Sequence, residues 1–298
     1  MRWSCAYPVA MTVRTAFLGF GEAANAFASD ERWAGDAFGY DLKLDDPGTR
    51  SDTLSDFQRA GVEACTSCAD AVAAGDQILS LVTADQSLNA ARTASGHLRA
   101  GTLFFDMNSV APQRKREAAT LIEAAGGRYV DVAVMSPVYP AQLDVPLLVS
   151  GPHADDGEQA LRSLGFSKIR QAGTEIGRAS VIKMVRSVMV KGIEALTAEC
   201  VLAADAAGVT DEVLASLGAE WAGRANYNLE RMLVHGNRRA AEMEEVCATL
   251  ESLGIQPELT RGTVRRQREL GLLGHHTPPD RLEDKLSLIS GLKEVRTA

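Results

Sequence analysis

Hydrophobic and polar positions along the chain fall into two textures. From the N-terminus to about residue 172, short apolar runs alternate with amphipathic stretches. The runs Val13–Leu18, Ala37–Tyr40, Gln77–Val82, Leu103–Asp106, Arg128–Val134, Pro146–Val149 and, more weakly, Lys168–Ile169 have the length and composition of buried strands. Between them, stretches such as Arg114–Ala125 and Asp156–Leu164 carry helical periodicity. Strands alternating with helices predict an α/β fold, a doubly wound and mostly parallel sheet with helices on both faces. After Gly177 the pattern changes. Ala179–Ala207 is rich in Ala, Val and Met, with no Pro and a single Gly, and predicts one long helix. Further helices are predicted over Thr210–Leu217, Ala222–Val234 and Arg238–Leu253, with a break at His235-Gly236 between the last two. No segment of the C-terminal third reads as a strand.

The first strand runs directly into candidate chemistry. It leads into Gly19-Phe20-Gly21-Glu22-Ala23-Ala24, a Gly-x-Gly-x-x-Ala turn, and a second strand ends at Asp41, about twenty residues on. Gly19 permits the tight turn, Gly21 lets a pyrophosphate approach the backbone, and Ala24 lets the next helix pack closely on the sheet. The phosphates would sit on the helix N-terminus, where N–H groups and the dipole favour anions. Asp41 would accept hydrogen bonds from an adenosine ribose. An ordinary Gly-rich turn is the competing reading. Strand before, helix after and acid at that offset favour a dinucleotide, NAD or a close relative. The expected organisation is a disordered leader over residues 1–11, a Rossmann-type dinucleotide-binding domain over 12–175, and an all-α substrate and dimerisation domain over 176–298, joined by the long helix.

Composition narrows the surroundings. A chain of 298 residues accommodates two domains, and its net charge of −8 argues against a general nucleic-acid binder. No apolar run approaches bilayer-spanning length, so no membrane is expected. The leader Met1–Ala10 is too short and interrupted for a secretory signal and reads as an extension or a start-site artefact ahead of Met11. The five cysteines are scattered, which suits reduced thiols and a cytoplasmic protein. Cys65-Thr66-Ser67-Cys68 has redox or zinc spacing without a second ligand pair, and reads as two small thiols near a sheet edge. His275-His276 has no Cys or carboxylate at metal-ligand spacing, and no metal site is expected. The basic run Thr260–Arg268 reads as a solvated face or subunit contact rather than a nucleic-acid site.

The long helix carries a second signal. Lys183 and Ser187 stand four residues apart on one face, and Glu194 continues the stripe. A lysine there would donate a proton to a carbonyl as hydride arrives, or accept the alcohol proton in reverse. A lysine snorkelling along an apolar helix is the alternative. Farther on, His235, Arg238 and Arg239 would either clamp a substrate carboxylate or phosphate, or pair with Glu242 and Glu245 on a solvated face.

With these residues the chain resembles the β-hydroxyacid dehydrogenases, the group of 3-hydroxyisobutyrate dehydrogenase, tartronate semialdehyde reductase and the 6-phosphogluconate dehydrogenase N-terminal domain. Gly19–Ala24 matches the dinucleotide turn of that family. Asp106-Met107-Asn108-Ser109-Val110-Ala111-Pro112 is similar to its Asp-x-Ser-Thr-x-x-Pro segment, and Asp131–Pro137 to its substrate loop. Gly177–Ser187 matches the helix Gly-x-x-x-x-x-Lys-x-x-x-Asn. The resemblance implies Lys183 as catalytic lysine, cofactor contacts at Gly19, Phe20, Gly21, Glu22, Ala23, Asp41, Val82, Thr83, Asn108 and Ser109, and a homodimer.

The chain departs from the pattern in its pocket. Ser187 replaces the usual substrate-binding Asn, and Met135 takes the substrate-loop serine position, with Ser136 adjacent. Ser136, Ser187, His235 and Arg239 are the expected substrate contacts. Asp41-Leu42 replaces the Asn-Arg of NADP-using members. A carboxylate there repels a 2′-phosphate and favours NAD, with NADP as the alternative if Lys43 or Arg50 recruits it. The expected function is hydride transfer between NAD(P) and a small hydroxy acid or related alcohol–aldehyde pair. An imine-reducing enzyme of the same fold and a non-catalytic NAD-binding regulator are the alternatives.

Overall fold

The computed structural model describes residues 13–275 and 277–297. The leader, with Cys5 and Met11, and His276 lie outside the described residues. Two compact units are present, one ending at Ser180 and one starting at Val181.

The first unit holds one eight-stranded sheet: β1 (Arg14–Leu18), β2 (Asp36–Tyr40), β3 (Glu63–Ala64), β4 (Gln77–Ser80), β5 (Leu103–Asp106), β6 (Arg128–Val134), β7 (Leu147–Ser150) and β8 (Ile169–Gly173). Its helices are α1 (Glu22–Ala28), α2 (Pro47–Arg59), α3 (Cys68–Ala74), α4 (Ser87–Ser95), α5 (Pro112–Ala124) and α6 (Ala154–Ser163). The spatial order is β3-β2-β1-β4-β5-β6-β7-β8, with every neighbouring pair parallel except β6 and β7. The exception follows from the link between β6 and β7, which has only a 3-10 turn at Gln142–Asp144 and no crossover helix to reverse the chain again. Strands covered on both faces read as unbroken apolar runs. Phe17, Ile78, Leu79, Phe104, Phe105 and Val130 are accordingly buried completely. The predicted fold class is the observed one.

The second unit is all helical among the described residues. The long helix α7 (Arg178–Ala207) leads into α8 (Thr210–Leu217), α9 (Trp221–Ser252), α10 (Glu258–Gly271) and α11 (Leu282–Thr297). The break expected at His235-Gly236 is absent, and α9 runs through it. Gly236 is there for close packing. A Cβ on Gly236 would lie 2.7 Å from the backbone nitrogen of Gly271, and one on Gly271 would lie 2.9 Å from Cα of Gly236. The two glycines bring α9 and α10 together backbone to backbone, and Asn237 Nδ2 donates to the Gly271 carbonyl at 3.2 Å across the crossing. Three arginines of the basic run pair within this unit, Arg261 with Glu251, Arg266 with Glu199 and Glu269, and Arg268 with Glu244. No helix among the described residues is long and apolar enough to cross a membrane.

Candidate functional site

Strand register assembles the first half of the site. Tyr40, Leu18, Ser80, Asp106, Asp131 and Ser150 are successive Cα partners across β2, β1, β4, β5, β6 and β7. The parallel strands β2, β1, β4 and β5 all end on this line. Asp41, the Gly19 turn, Val82-Thr83 and Asn108-Ser109 therefore follow it at one edge of the sheet. The strand order reverses between β1 and β4, and ligands of open α/β sheets bind outside the carboxyl ends at such a point.

The turn itself has the features a dinucleotide needs. Gly19 has φ +84°, and a Cβ there would meet the Leu81 carbonyl oxygen at 2.7 Å. Gly21 has nothing within 4 Å of the place a Cβ would occupy, so its backbone is open to approach. It caps α1 without a side-chain hydrogen bond, and Glu22 and Ala23 form the first turn. Phe20 contributes only backbone to this edge, because its ring is buried and stacks on Phe57 at 4.0 Å. Asp41 is tied to the turn. One carboxylate oxygen accepts from the Phe20 N–H at 2.7 Å and the other from the Lys43 N–H at 2.9 Å. These residues fit NAD.

Beneath the edge lies a buried polar network that sequence reasoning missed. Lys115 of α5 is fully buried, and its Nζ donates to the Asp106 carbonyl at 2.6 Å and to Asp106 Oδ1 at 2.9 Å, with Asp131 Oδ1 at 3.4 Å. Tyr129 donates to Asp106 Oδ2 at 2.7 Å. Burial, and then the charges of Asp106 and Asp131, push its phenol far above the ordinary value. Asp106 also holds Asn108, accepting from its N–H at 3.0 Å and its Nδ2 at 2.8 Å, while that Nδ2 donates to Ser80 at 3.0 Å. Asn108 Oδ1 is left buried with no donor among the described residues, an acceptor available to a ligand hydroxyl. Asp131 fixes the start of α7. It accepts from the Ser180 N–H at 3.2 Å and hydroxyl at 2.7 Å and from the Ser150 hydroxyl at 2.9 Å, and Ser150 Oγ accepts from the Ala179 N–H at 3.0 Å. The signal for Lys115 was present, since it shares a buried helical stripe with Ala118, Ala119 and Ile122.

The remaining candidates divide between the units. Ser136, on the β6–β7 link, donates to the Pro137 carbonyl at 3.2 Å. Lys183 follows Ser180 by three residues on α7, and the Ser187 hydroxyl donates to the Lys183 carbonyl at 2.9 Å. Two acids pair with cations between α7 and α9. Glu242 meets Lys191 at 2.5 Å, and although burial alone would raise its pKa, the charges of Lys191 and Lys183 hold it down at about 2. Glu194 meets Arg239 in a buried pair and accepts from Gln267 Nε2 at 2.9 Å. Arg239 is thus engaged inside the helical unit, and His235 is half-buried on α9. No group of three or more His, Cys, Asp or Glu suited to a metal ion occurs among the described residues.

Comparison with known proteins agrees with this geometry. A model of the NAD binding domain of 6-phosphogluconate dehydrogenase matches residues 39–160, and a model of a domain of unknown function, DUF1932, matches residues 204–270. The chain is 33% identical to a conserved hypothetical protein from Sinorhizobium meliloti 1021, covering 95% of this chain and 97% of that one, with a TM-score of 0.71. It is 32% identical to a conserved protein of unknown function whose structure reveals similarity with 3-hydroxyacid dehydrogenases, over 87% and 96% of the two chains, with a TM-score of 0.66. Mycobacterium tuberculosis 3-hydroxyisobutyrate dehydrogenase, solved with L-serine, shares the fold at 18% identity, 95% and 100% coverage and a TM-score of 0.70. With an NAD-binding module and two relatives above 30% identity over nearly their whole length, the chain belongs to the β-hydroxyacid dehydrogenase family.

Proposed function

We propose that the chain interconverts a small hydroxy acid, or a related alcohol, and its carbonyl compound, with Lys183 as general acid and base. Bound NAD would supply or take the hydride. The observation that carries the reading is the anchoring of α7: Asp131 and Ser150 grip Ala179 and Ser180 on the same register line that ends at the cofactor edge. Lys183 follows within one turn of that fixed point, and in this reading its amine handles the proton. In this reading residues 12–175 hold the cofactor and 176–298 serve substrate binding and dimerisation. Ser136 and Ser187 hold substrate oxygens, with His235 and Arg239 as outer contacts. The test is turnover of NAD(H) and NADP(H) against panels of hydroxy acids, aldehydes and imines. Turnover confined to C=N substrates would replace this reading with an imine reductase, and tight NAD binding without any turnover would replace it with a binding protein.

Asp41 favours NAD in this proposal, because a 2′-phosphate would meet a carboxylate already anchored to the Phe20 N–H. Asp41→Asn is expected to weaken NAD binding by about tenfold and to narrow its margin over NADP, as a charge-assisted hydrogen bond is lost. Titration of both cofactors by fluorescence checks this. Unchanged affinities for both would remove Asp41 from the cofactor contacts.

A homodimer is the proposed assembly. On α7, Val185, Met189, Ile193 and Leu196 share one face and remain exposed, Met189 by 64% and Leu196 by 67%. A second copy is the proposed cover for that face. Met189→Glu is expected to lower the sedimentation mass from twice the 31.8 kDa chain to a single chain. A wild type that sediments as one chain would refute it.

A further inference from the structure

Arg231 is a half-buried cation of the helical unit. It shares a stripe of α9 with His235, Arg238 and Glu242, at i, i+4, i+7 and i+11, with Arg239 flanking. Arg239 pairs with Glu194, and Arg238 Nε lies 4.0 Å from Glu242. Arg231 has no hydrogen bond or ion pair to any described residue, yet it is half-buried. Burial lowers its pKa first, and the like charge of Arg239 next; Tyr227 and Glu194 oppose this, and Arg238 adds to it. A guanidinium stays protonated under such pressure, so the chain keeps a half-desolvated cation beside two others. A second donor nearby is also unmet. Arg239 is itself buried, and its Nε has no acceptor among the described residues. The Arg231 guanidinium and the Arg239 Nε–H both lack an acceptor among the described residues, although the other end of the Arg239 fork is held by Glu194.

We infer that Arg231, flanked by Arg238 and Arg239, forms a binding site for a carboxylate or phosphoryl group. Planar guanidinium forks match both oxyanions bidentately. The site is distinct from Lys183. α7 and α9 run antiparallel: Lys191 meets Glu242, Glu194 meets Arg239, and Asn228 Nδ2 donates to Thr197 Oγ1 at 3.1 Å. That pairing sets Arg231 level with residues 194–197 of α7, about 17–21 Å along the helix from Lys183. The anion is therefore either the far end of an extended substrate or a separate small effector, and the two share the recognising chemistry.

The test uses inorganic phosphate and succinate as probes on the full chain at constant ionic strength, with chloride as control. In the wild type, one or both are expected to raise Tm saturably by about 2–5 °C. Arg231→Gln is expected to weaken that binding by about tenfold or more. Without anion its Tm should equal or exceed the wild-type value, because an unpaired charge is gone. Arg231→Lys, which keeps the charge but loses the fork, should fall between. Equal Tm shifts in wild type and Arg231→Gln, no shift in either, or a lower anion-free Tm in the variant would overturn the assignment. A rise in KM at constant kcat in Arg231→Gln would assign the anion to the substrate. Loss of the Tm shift with KM unchanged would assign it to an effector. Neither Tm arm needs turnover, so the anion site stands or falls separately from the role of Lys183.

Discussion

Lys183→Ala is expected to lower kcat by about 10²–10⁴-fold, the usual span for loss of a positioned proton donor, while NAD affinity stays at the wild-type value. The two effects should separate because the proposed cofactor residues all precede Ser180, whereas the proposed role of Lys183 is confined to the proton. Ala at this position keeps the helix, having the best propensity of any residue, so α7 remains in place. Lys183→Arg sharpens the result. It preserves the charge but cannot release a proton near neutral pH, so it should restore little of kcat. Glu242, held near pKa 2, stays a carboxylate throughout the working range and provides a fixed anion to which the Lys183 charge couples. Wild-type kcat in Lys183→Ala would remove the lysine from the chemistry. Loss of NAD binding in step with kcat would instead make it a structural residue.

Much of the candidate site was legible because its signals are local. The Gly19 turn, Asp41 and the Lys183 helix each lie within one segment, where spacing alone encodes the geometry. Partnership across the sheet was not. Asp106 and Asp131 stood out as motif members, but their convergence on Lys115 depends on a register that puts β5 beside β6. The lone lysine on an apolar helical stripe announced a buried partner without naming it. The absence of a partner is harder still to read. Along the chain Arg231 differs from Arg238 only in having no acid one turn away, and that alone does not say whether a distant segment supplies one. The false break at Gly236 has a similar cause. Glycine weakens a helix locally, and the reason for it, Gly271, lies on the next helix. α2 escaped notice because its residues are largely polar, although Pro47 at its start and the Asp46 carboxylate accepting from the Gly48 N–H at 2.9 Å mark its beginning.

Lys115→Met is expected to cost about 3–5 kcal/mol of stability, the range for breaking a buried ion pair by removing one partner. For a domain of this size that is a fall in Tm of about 10 °C. The size of the effect comes from what the methionine leaves behind. Lys115, Asp106 and Asp131 are 0%, 1% and 0% exposed, so two carboxylates on adjacent strands would face each other without water or a cation. Neither can turn away. Asp106 is held by Tyr129 and Asn108, and Asp131 by Ser150 and Ser180. Adding Asp131→Asn should therefore recover stability. It removes one of the opposed charges, while Asp106 keeps three donors of its own. The coupling between the two substitutions is expected at about 1–3 kcal/mol in a double-mutant cycle by urea denaturation. Function should follow the same ranking, since this network sets both Asn108 at the cofactor edge and the first turn of α7. NAD affinity and kcat should fall in Lys115→Met and partly return in the double variant. Additive losses would show that Lys115 fills space in the core and does not balance the two acids.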